Sequence, residues 1–225
     1  MIHPNMGTML CFITTDCAIT HEMLEDALRS VVKHTFNRVT IDGDTSTNDM
    51  CVVLANGMAE NALIEWKDAG YSAFYAALET LCTNLSRQIA ADGEGASRLV
   101  SCTVTGARGE DVAERLAKSV VGSSLVKAAM FGADANWGRV LCAIGYSGAQ
   151  FDPKDVEVKF LSRAGELLVC AGGQGVAFDE ALAKRVLSED EVVIQVTLTS
   201  GSATCSCWGC DLTYDYVKIN GDYRS

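Results

Sequence analysis

The apolar residues of this chain change period repeatedly, and that alternation limits the folds open to it. MLCFITTD (9–16) is a strand-length run, whereas Ile19, Met23, Ala27, Leu28, Val31 and Val32 fall at helical spacing. The spacing predicts a helix from Thr20 to His34, with Glu22, Glu25 and Asp26 early and Lys33 late, as the helix dipole favours. Strands are expected at Phe36–Asp42 and Cys51–Ala55, on either side of the polar loop GDTSTND. A long helix, Ser72–Ala91, follows, with Phe74, Tyr75, Leu78, Leu81, Cys82, Leu85 and Ile89 on one side. The Asp92-Gly-Glu-Gly turn leads to a strand (Arg98–Thr105), a helix (Asp111–Val120) and a mostly helical stretch to Tyr146 containing FGADANWGR. VEVKF and ELLVC alternate like a hairpin about the Arg163-Ala-Gly turn. A short helix (179–187), the strand VVIQVTLT and the tail DLTYDYVKIN, helical by Leu212, Tyr216 and Ile219, complete the chain. Mixed short elements with hairpin-like connections predict an α+β fold in layers.

Composition removes several function classes. The 225 residues allow one or two domains with a real core. No apolar run reaches the ~18 residues of a membrane span, and the first residues lack a basic region followed by an apolar one, so no secretory signal is expected. A net charge of −11 disfavours nucleic acid and anionic membranes, leaving small molecules or proteins as partners. A cytoplasmic location with reduced thiols is expected for the ten cysteines. Cys11, Cys51, Cys102, Cys142 and Cys170 sit in apolar runs, where a thiol behaves as a small hydrophobe. Cys205, Cys207 and Cys210 in CSCWGC could hold a metal or a redox disulfide. Structural zinc wants four ligands, however, and His3, His21 and His34 all lie near the other terminus, so no metal is expected.

Familiar catalytic constellations are mostly missing. AGGQG (171–175) lacks the lysine of a phosphate loop and reads as a turn. No histidine is arranged for a serine triad, and GYSGA (145–149) resembles a nucleophile elbow only superficially. GDTSTND reads as a solvated turn, and DGEGA sets Glu94 between glycines that allow close backbone approach. Gly7-Thr8 has two readings. Threonine at a strand head is ordinary β-propensity. If the chain were cut there, Thr8 would be an N-terminal nucleophile whose own α-amine, with a reference pKa near ~8, takes the hydroxyl proton.

The segments MIHPNMGTMLCFITTDCAI, FNRVTIDGDTSTNDM, VLANG, ADGEGASRLV, FGADANWGRVLCAIGYSG and WGCDLTYDYVKINGDYRS resemble the ornithine acetyltransferase (glutamate N-acetyltransferase) family along essentially the whole chain. The resemblance is to the β-chain half, including the residues just before its self-cleavage site. It implies a layered αββα sandwich, N-terminal-nucleophile-like, of the ornithine acetyltransferase/aminopeptidase type. Residues 1–7 would be the tail of the α part and 8–225 the β chain, in one piece or in two lobes divided near 107–150. Thr8 would be the nucleophile, freed by autoproteolysis between Gly7 and Thr8, where the family more often has alanine before the threonine. Substrate binding falls to Thr8, Glu94, Asn220 and Ser225; family chains often end in threonine, and serine keeps the hydroxyl.

The implied reaction moves acetyl from N2-acetylornithine to glutamate through an acetyl-threonine enzyme, releasing ornithine, in arginine biosynthesis. No cofactor is needed, although acetyl-CoA is a further donor in some members. The partner is the α chain of the same precursor, in paired αβ units. That chain supplies an oxyanion Thr-Gly pair, and a lysine belonging just upstream of MIHPNM. The chain is therefore expected to be a precursor fragment or half of a split enzyme, with little or no turnover alone. The alternative is a truncated, non-catalytic subunit that only packs against such a partner.

Overall fold

A computed structural model describes residues 1–3 and 9–222. The chain divides into two compact units, Met1–Ser86 and Arg87–Ser225, with the division inside one helix. Residues 107–150, the place of a lobe boundary in the two-lobe alternative, lie within the second unit.

In the first unit, strand β1 (Leu10–Thr15) pairs in parallel with β2 (Met50–Ala55), Leu10 opposite Met50 and Thr15 opposite Ala55. Helix α1 (His21–His34) lies between them in sequence; its Thr20 cap accepts from Met23 N, and Lys33 and His34 occupy its last turn. The expected strand at 36–42 is a 3-10 turn, Phe36–Arg38, followed by a single bridge residue, Val39, and then irregular chain. Its alternating apolar residues are buried, Phe36, Val39 and Ile41 among them, so the pattern records burial rather than a strand ladder. Helix α2 (Ala69–Ala91) begins three residues before the expected Ser72. Tyr71, Leu78 and Cys82 set its buried line, whereas Leu81, expected inside, is exposed.

The β1–β2 pair alternates strictly. Cys11, Ile13, Cys51 and Val53 are buried or half-buried, while Leu10 (61% exposed), Phe12 (63%) and Leu54 (57%) face out. A parallel pair with one open apolar face is unusual, since parallel sheets are ordinarily covered on both sides.

The second unit is built on a six-stranded mixed sheet. Its strands are β3 (Leu99–Ala107), β4 (Glu157–Ser162), β5 (Gly165–Ala171), β6 (Gln174–Gly175), β7 (Glu191–Thr197) and β8 (Ala203–Cys210), in the order β6-β5-β4-β7-β3-β8. β3 runs parallel to β7 and antiparallel to β8, and the β4–β5 hairpin turns at Arg163-Ala-Gly as expected. Sequence periodicity missed β8, because ATCSCWGC has only Thr204 and Trp208 among the residue types that mark strands.

One face of this sheet is apolar. Val100, Cys102, Val104, Phe160, Ile194 and Cys207 lie in one core with α3 (Glu110–Gly122), α4 (Ser124–Phe131), α5 (Trp137–Gly145) and α6 (Glu180–Leu187). The alternate residues form polar pairs, Thr103 with Ser206 (2.8 Å) and Gln195 with Thr105 (3.1 Å). Helix α7 (Tyr214–Asp222) follows β8 and buries none of its described residues, although Leu212, Tyr216 and Ile219 had suggested an inner face. The sheet flanked by helices agrees with the α+β reading.

Candidate functional site

Glu94 and Asn220 meet across 126 positions of sequence: Asn220 Nδ2 donates to Glu94 Oε2 at 2.8 Å. The same amide also donates to Tyr216 O (3.1 Å), so its plane is fixed by its own helix. Both side chains belong to exposed residues. Glu94 Oε1 has no hydrogen-bond partner among the described residues and can accept from a cationic ligand.

The turn that carries Glu94 is clamped to the segment that launches α7. Gly95 has φ +66°, and a Cβ there would lie 2.5 Å from Tyr216 N, so only glycine lets turn and helix approach this closely. Thr213 Oγ1 donates to Gly95 O (2.6 Å) and accepts from Tyr216 N (3.3 Å), joining the turn to the helix cap. Asp211, buried, accepts from Ser97 N (2.8 Å), from the Ser97 hydroxyl and from Arg98 N (3.2 Å). From the other side, buried Lys127 of α4 donates to Cys210 O (2.7 Å), and Leu212 N donates back to Lys127 O (3.2 Å). Phe131 meets Tyr214 edge to face, ring centroids 5.5 Å apart. A buried carboxylate, a buried ammonium and a capping hydroxyl therefore hold two exposed polar groups in register. None of the three supports was singled out from sequence, and CDLT in the tail was the signal available for two of them.

Within the first unit, the head of β1 is equally constrained. Met9 N donates to Asp49 Oδ1 (2.5 Å), and Met50 N donates to Met9 O (2.8 Å). GDTSTND is thus not a freely solvated turn. Ser46 is buried and donates to Asn48 Oδ1 (2.6 Å), and Asp49 Oδ2 is buried with no hydrogen-bond partner. A cleft of about 410 Å³ opens beside this point, lined by Met9, Val32, Phe36, Asp49, Met50 and Cys51 together with Arg29 and Lys33. Gly7, Thr8 and Ser225 lie outside the described residues.

The cysteines are free thiols, and most are packed. Cys205 and Cys207 alternate with Ser206 along β8, and Cys207 stands opposite Cys102 on β3. Burial pushes the Cys102 thiol well up, and the hydrogen bond with Cys205 together with burial does the same to Cys207. Burial and the neighbouring Cys11 and Cys82 push Cys51 up to about 12. Cys142, expected inside, is exposed on α5. Among the described residues, no three of the side chains that bind metals are grouped to hold an ion. Within AGGQG, Gly172 and Gly173 make the turn between β5 and β6; Gly175 seats the Trp137 indole of FGADANWGR, whose Cζ2 would lie 2.3 Å from an added Cβ. No helix among the described residues is long and apolar enough to cross a membrane.

Comparison with known proteins adds a family. The ArgJ family model matches residues 1–225. "Arginine biosynthesis bifunctional protein ArgJ 1" of Clostridium acetobutylicum is 50% identical over 225 residues, which are all of this chain and 55% of that protein. The ArgJ protein of Symbiobacterium thermophilum is 54% identical over the same span and likewise 55% covered. The chain therefore spans about half the length of the curated relatives it matches. A crystal structure of ArgJ from Bacillus halodurans, 46% identical, superimposes with a TM-score of 0.90 over 96% of this chain and 100% of that chain.

Proposed function

This chain belongs to the ArgJ family, and from that premise we propose that it is the nucleophile-bearing β half of an acetyltransferase of arginine biosynthesis. The enzyme moves acetyl from N2-acetylornithine to glutamate. The observation that carries the reading is the Glu94–Asn220 contact of 2.8 Å, since the resemblance assigned both residues to substrate binding and 126 positions separate them.

The chemistry runs from Thr8, after self-cleavage between Gly7 and Thr8. Its hydroxyl attacks the acetyl carbonyl while its α-amine takes the proton. Collapse breaks the amide bond, and the ammonium returns that proton to the departing ornithine nitrogen. The amine of glutamate attacks the acetyl-threonine ester in the second half, restoring Thr8 and forming N-acetylglutamate. One amide is exchanged for another, so no cofactor is required, and acetyl-CoA can serve as a second donor. Glu94 takes the ornithine side-chain ammonium, with Asn220 and Ser225 adding hydrogen bonds.

The α part of the same precursor is the partner, in paired αβ units within the cytoplasm, and without it turnover is low because the oxyanion donors come from it. Loss of such donors costs ~10²–10³ in rate. The open apolar face of Leu10, Phe12 and Leu54 supports a covering partner, and two facing sheets would give the completed protein the layered αββα sandwich.

Intact-mass and N-terminal analysis of the full-length precursor tests the reading. A chain beginning at Thr8, a co-purifying second polypeptide and an acetyl adduct on Thr8 are expected. Glu94→Gln should raise the acetylornithine KM about ten- to hundredfold, the worth of a hydrogen bond to a charged group. An uncut chain with no adduct would leave only a packing role.

A further inference from the structure

Lys127 and Cys210 bring an amine and a thiol into contact inside the second unit. Lys127 Nζ lies 3.5 Å from Cys210 Sγ and donates to Cys210 O at 2.7 Å. Both residues are buried, at 4% and 2% exposure, and 83 positions separate them in sequence. Leu212 N donates to Lys127 O at 3.2 Å, so α4 and the end of β8 hold the pair in place from both sides. Reacting atoms held roughly 3–3.5 Å apart are already at attack distance. A cation beside a thiol also favours the thiolate, the form that peroxides oxidise. Across the sheet, Cys207 stands opposite the thiol of Cys102, whereas Cys210 stands opposite Leu99. Lys127 is thus the nucleophile that the fold sets against an oxidised sulfur at Cys210.

We propose that Lys127 and Cys210 form a redox-controlled covalent bridge, a sulfenamide between Nζ and Sγ, with a hydroperoxide as the oxidant. The Cys210 sulfur attacks one peroxide oxygen, the O–O bond breaks, and a sulfenic acid and water result. Lys127 Nζ then attacks that sulfur, forming the S–N bond as the S–O bond breaks. The nitrogen gives up two of its three ammonium protons. One joins the departing hydroxide, which leaves as water, and the other passes to solvent. Sulfur loses two electrons and the peroxide gains them. A dithiol reverses the bridge, restoring thiol and amine and leaving its own disulfide. The bridge ties α4 to the last residue of β8, beside the Asp211 and Thr213 contacts that mount Glu94 and Asn220. It turns a hydrogen-bonded support into a covalent staple, and it does so whether or not the site transfers acetyl.

The test is tryptic peptide mapping of the full-length protein treated with hydrogen peroxide, before and after dithiothreitol. The bridge should lower the mass by about 2 Da, for two hydrogens lost. It should also block trypsin at Lys127 and join the peptide holding Lys127 to the one holding Cys210. Dithiothreitol should release both. The bridged protein should melt roughly 5–10 °C higher, because the link closes a span of 83 residues. Lys127→Arg keeps a cation for Cys210 O but offers no amine, so after peroxide it should show neither joined peptides nor the rise. Were that variant to misfold, the wild-type map alone decides. Oxygen added at Cys210 with no joined peptide, a disulfide from Cys210 to another cysteine, or Cys210 still reduced when Cys142 is fully oxidised would each overturn the proposal.

Discussion

Replacing Gly95 with alanine measures how closely the Glu94 turn is fitted to α7. At φ +66° an L-residue costs about 1–2 kcal/mol relative to glycine. The added Cβ would stand 2.5 Å from Tyr216 N and 2.9 Å from the Asp215 carbonyl carbon. Non-bonded carbons settle near ~3.5 Å, so turn and helix must part by about 1 Å. Overpacking of that kind costs about 1–3 kcal/mol. Together the two give roughly 2–5 kcal/mol, or about 4–20 °C in the melting midpoint at ~2–4 °C per kcal/mol. The same displacement would stretch the 2.8 Å Asn220–Glu94 bond beyond hydrogen-bonding range. Gly145→Ala is the control, since a Cβ there meets nothing within 4 Å. Melting curves and acetylornithine KM for the full-length protein should show Gly95→Ala destabilised with a raised KM and Gly145→Ala close to wild type. A Gly95→Ala enzyme that melts within a degree of wild type, with unchanged KM, would refute the close-fit argument.

Three further outcomes are expected. Thr213→Val should raise KM and lower the midpoint, losing the bonds to Gly95 O and from Tyr216 N, whereas Thr213→Ser should restore both values; equal loss in Ser and Val would remove the hydroxyl from the account. Lys127→Met should keep the stem's packing but lose the buried bond to Cys210 O, lowering stability by about 1.5–3 kcal/mol in denaturant titration. Cys51 and Cys82, each with its thiol pushed up to about 12 chiefly by burial, remain protonated at neutral pH, so alkylation monitored by mass should modify exposed Cys142 first. Reaction of Cys51 or Cys82 before Cys142 would contradict that order.

Local pattern carried most of the fold. The helical spacing of Met23, Ala27, Leu28 and Val31, with Glu22 early and Lys33 late, marked α1, and the alternation in VEVKF and ELLVC marked a hairpin, because periodicity and charge placement are written in neighbouring residues. The errors arose where burial and hydrogen bonding part company. Phe36, Val39 and Ile41 are buried without a ladder, and ATCSCWGC forms a ladder with small residues that any loop could hold. The site was less legible. Glu94 and Asn220 came from family resemblance, since nothing in the spacing of two residues 126 apart says that they touch. Asp211, Thr213, Lys127 and Asp49 act through burial and partners supplied by distant segments, and their residue types alone are those of any polar turn.

The position of β3 has a consequence for how the second unit is made. Leu99 pairs with Glu191 on one side and Cys210 on the other, separations of 191 − 99 = 92 and 210 − 99 = 111 residues. At the ~5–20 residues per second of synthesis, β3 emerges roughly 5–18 s before its first partner strand exists. Over that interval its two edges and its apolar face of Val100, Cys102 and Val104 have no strand to pair with. The sheet can therefore close only after β7 and β8 have been made. Until β7 and β8 arrive, this segment is the natural client for a chaperone and the first place for nascent chains to pair wrongly.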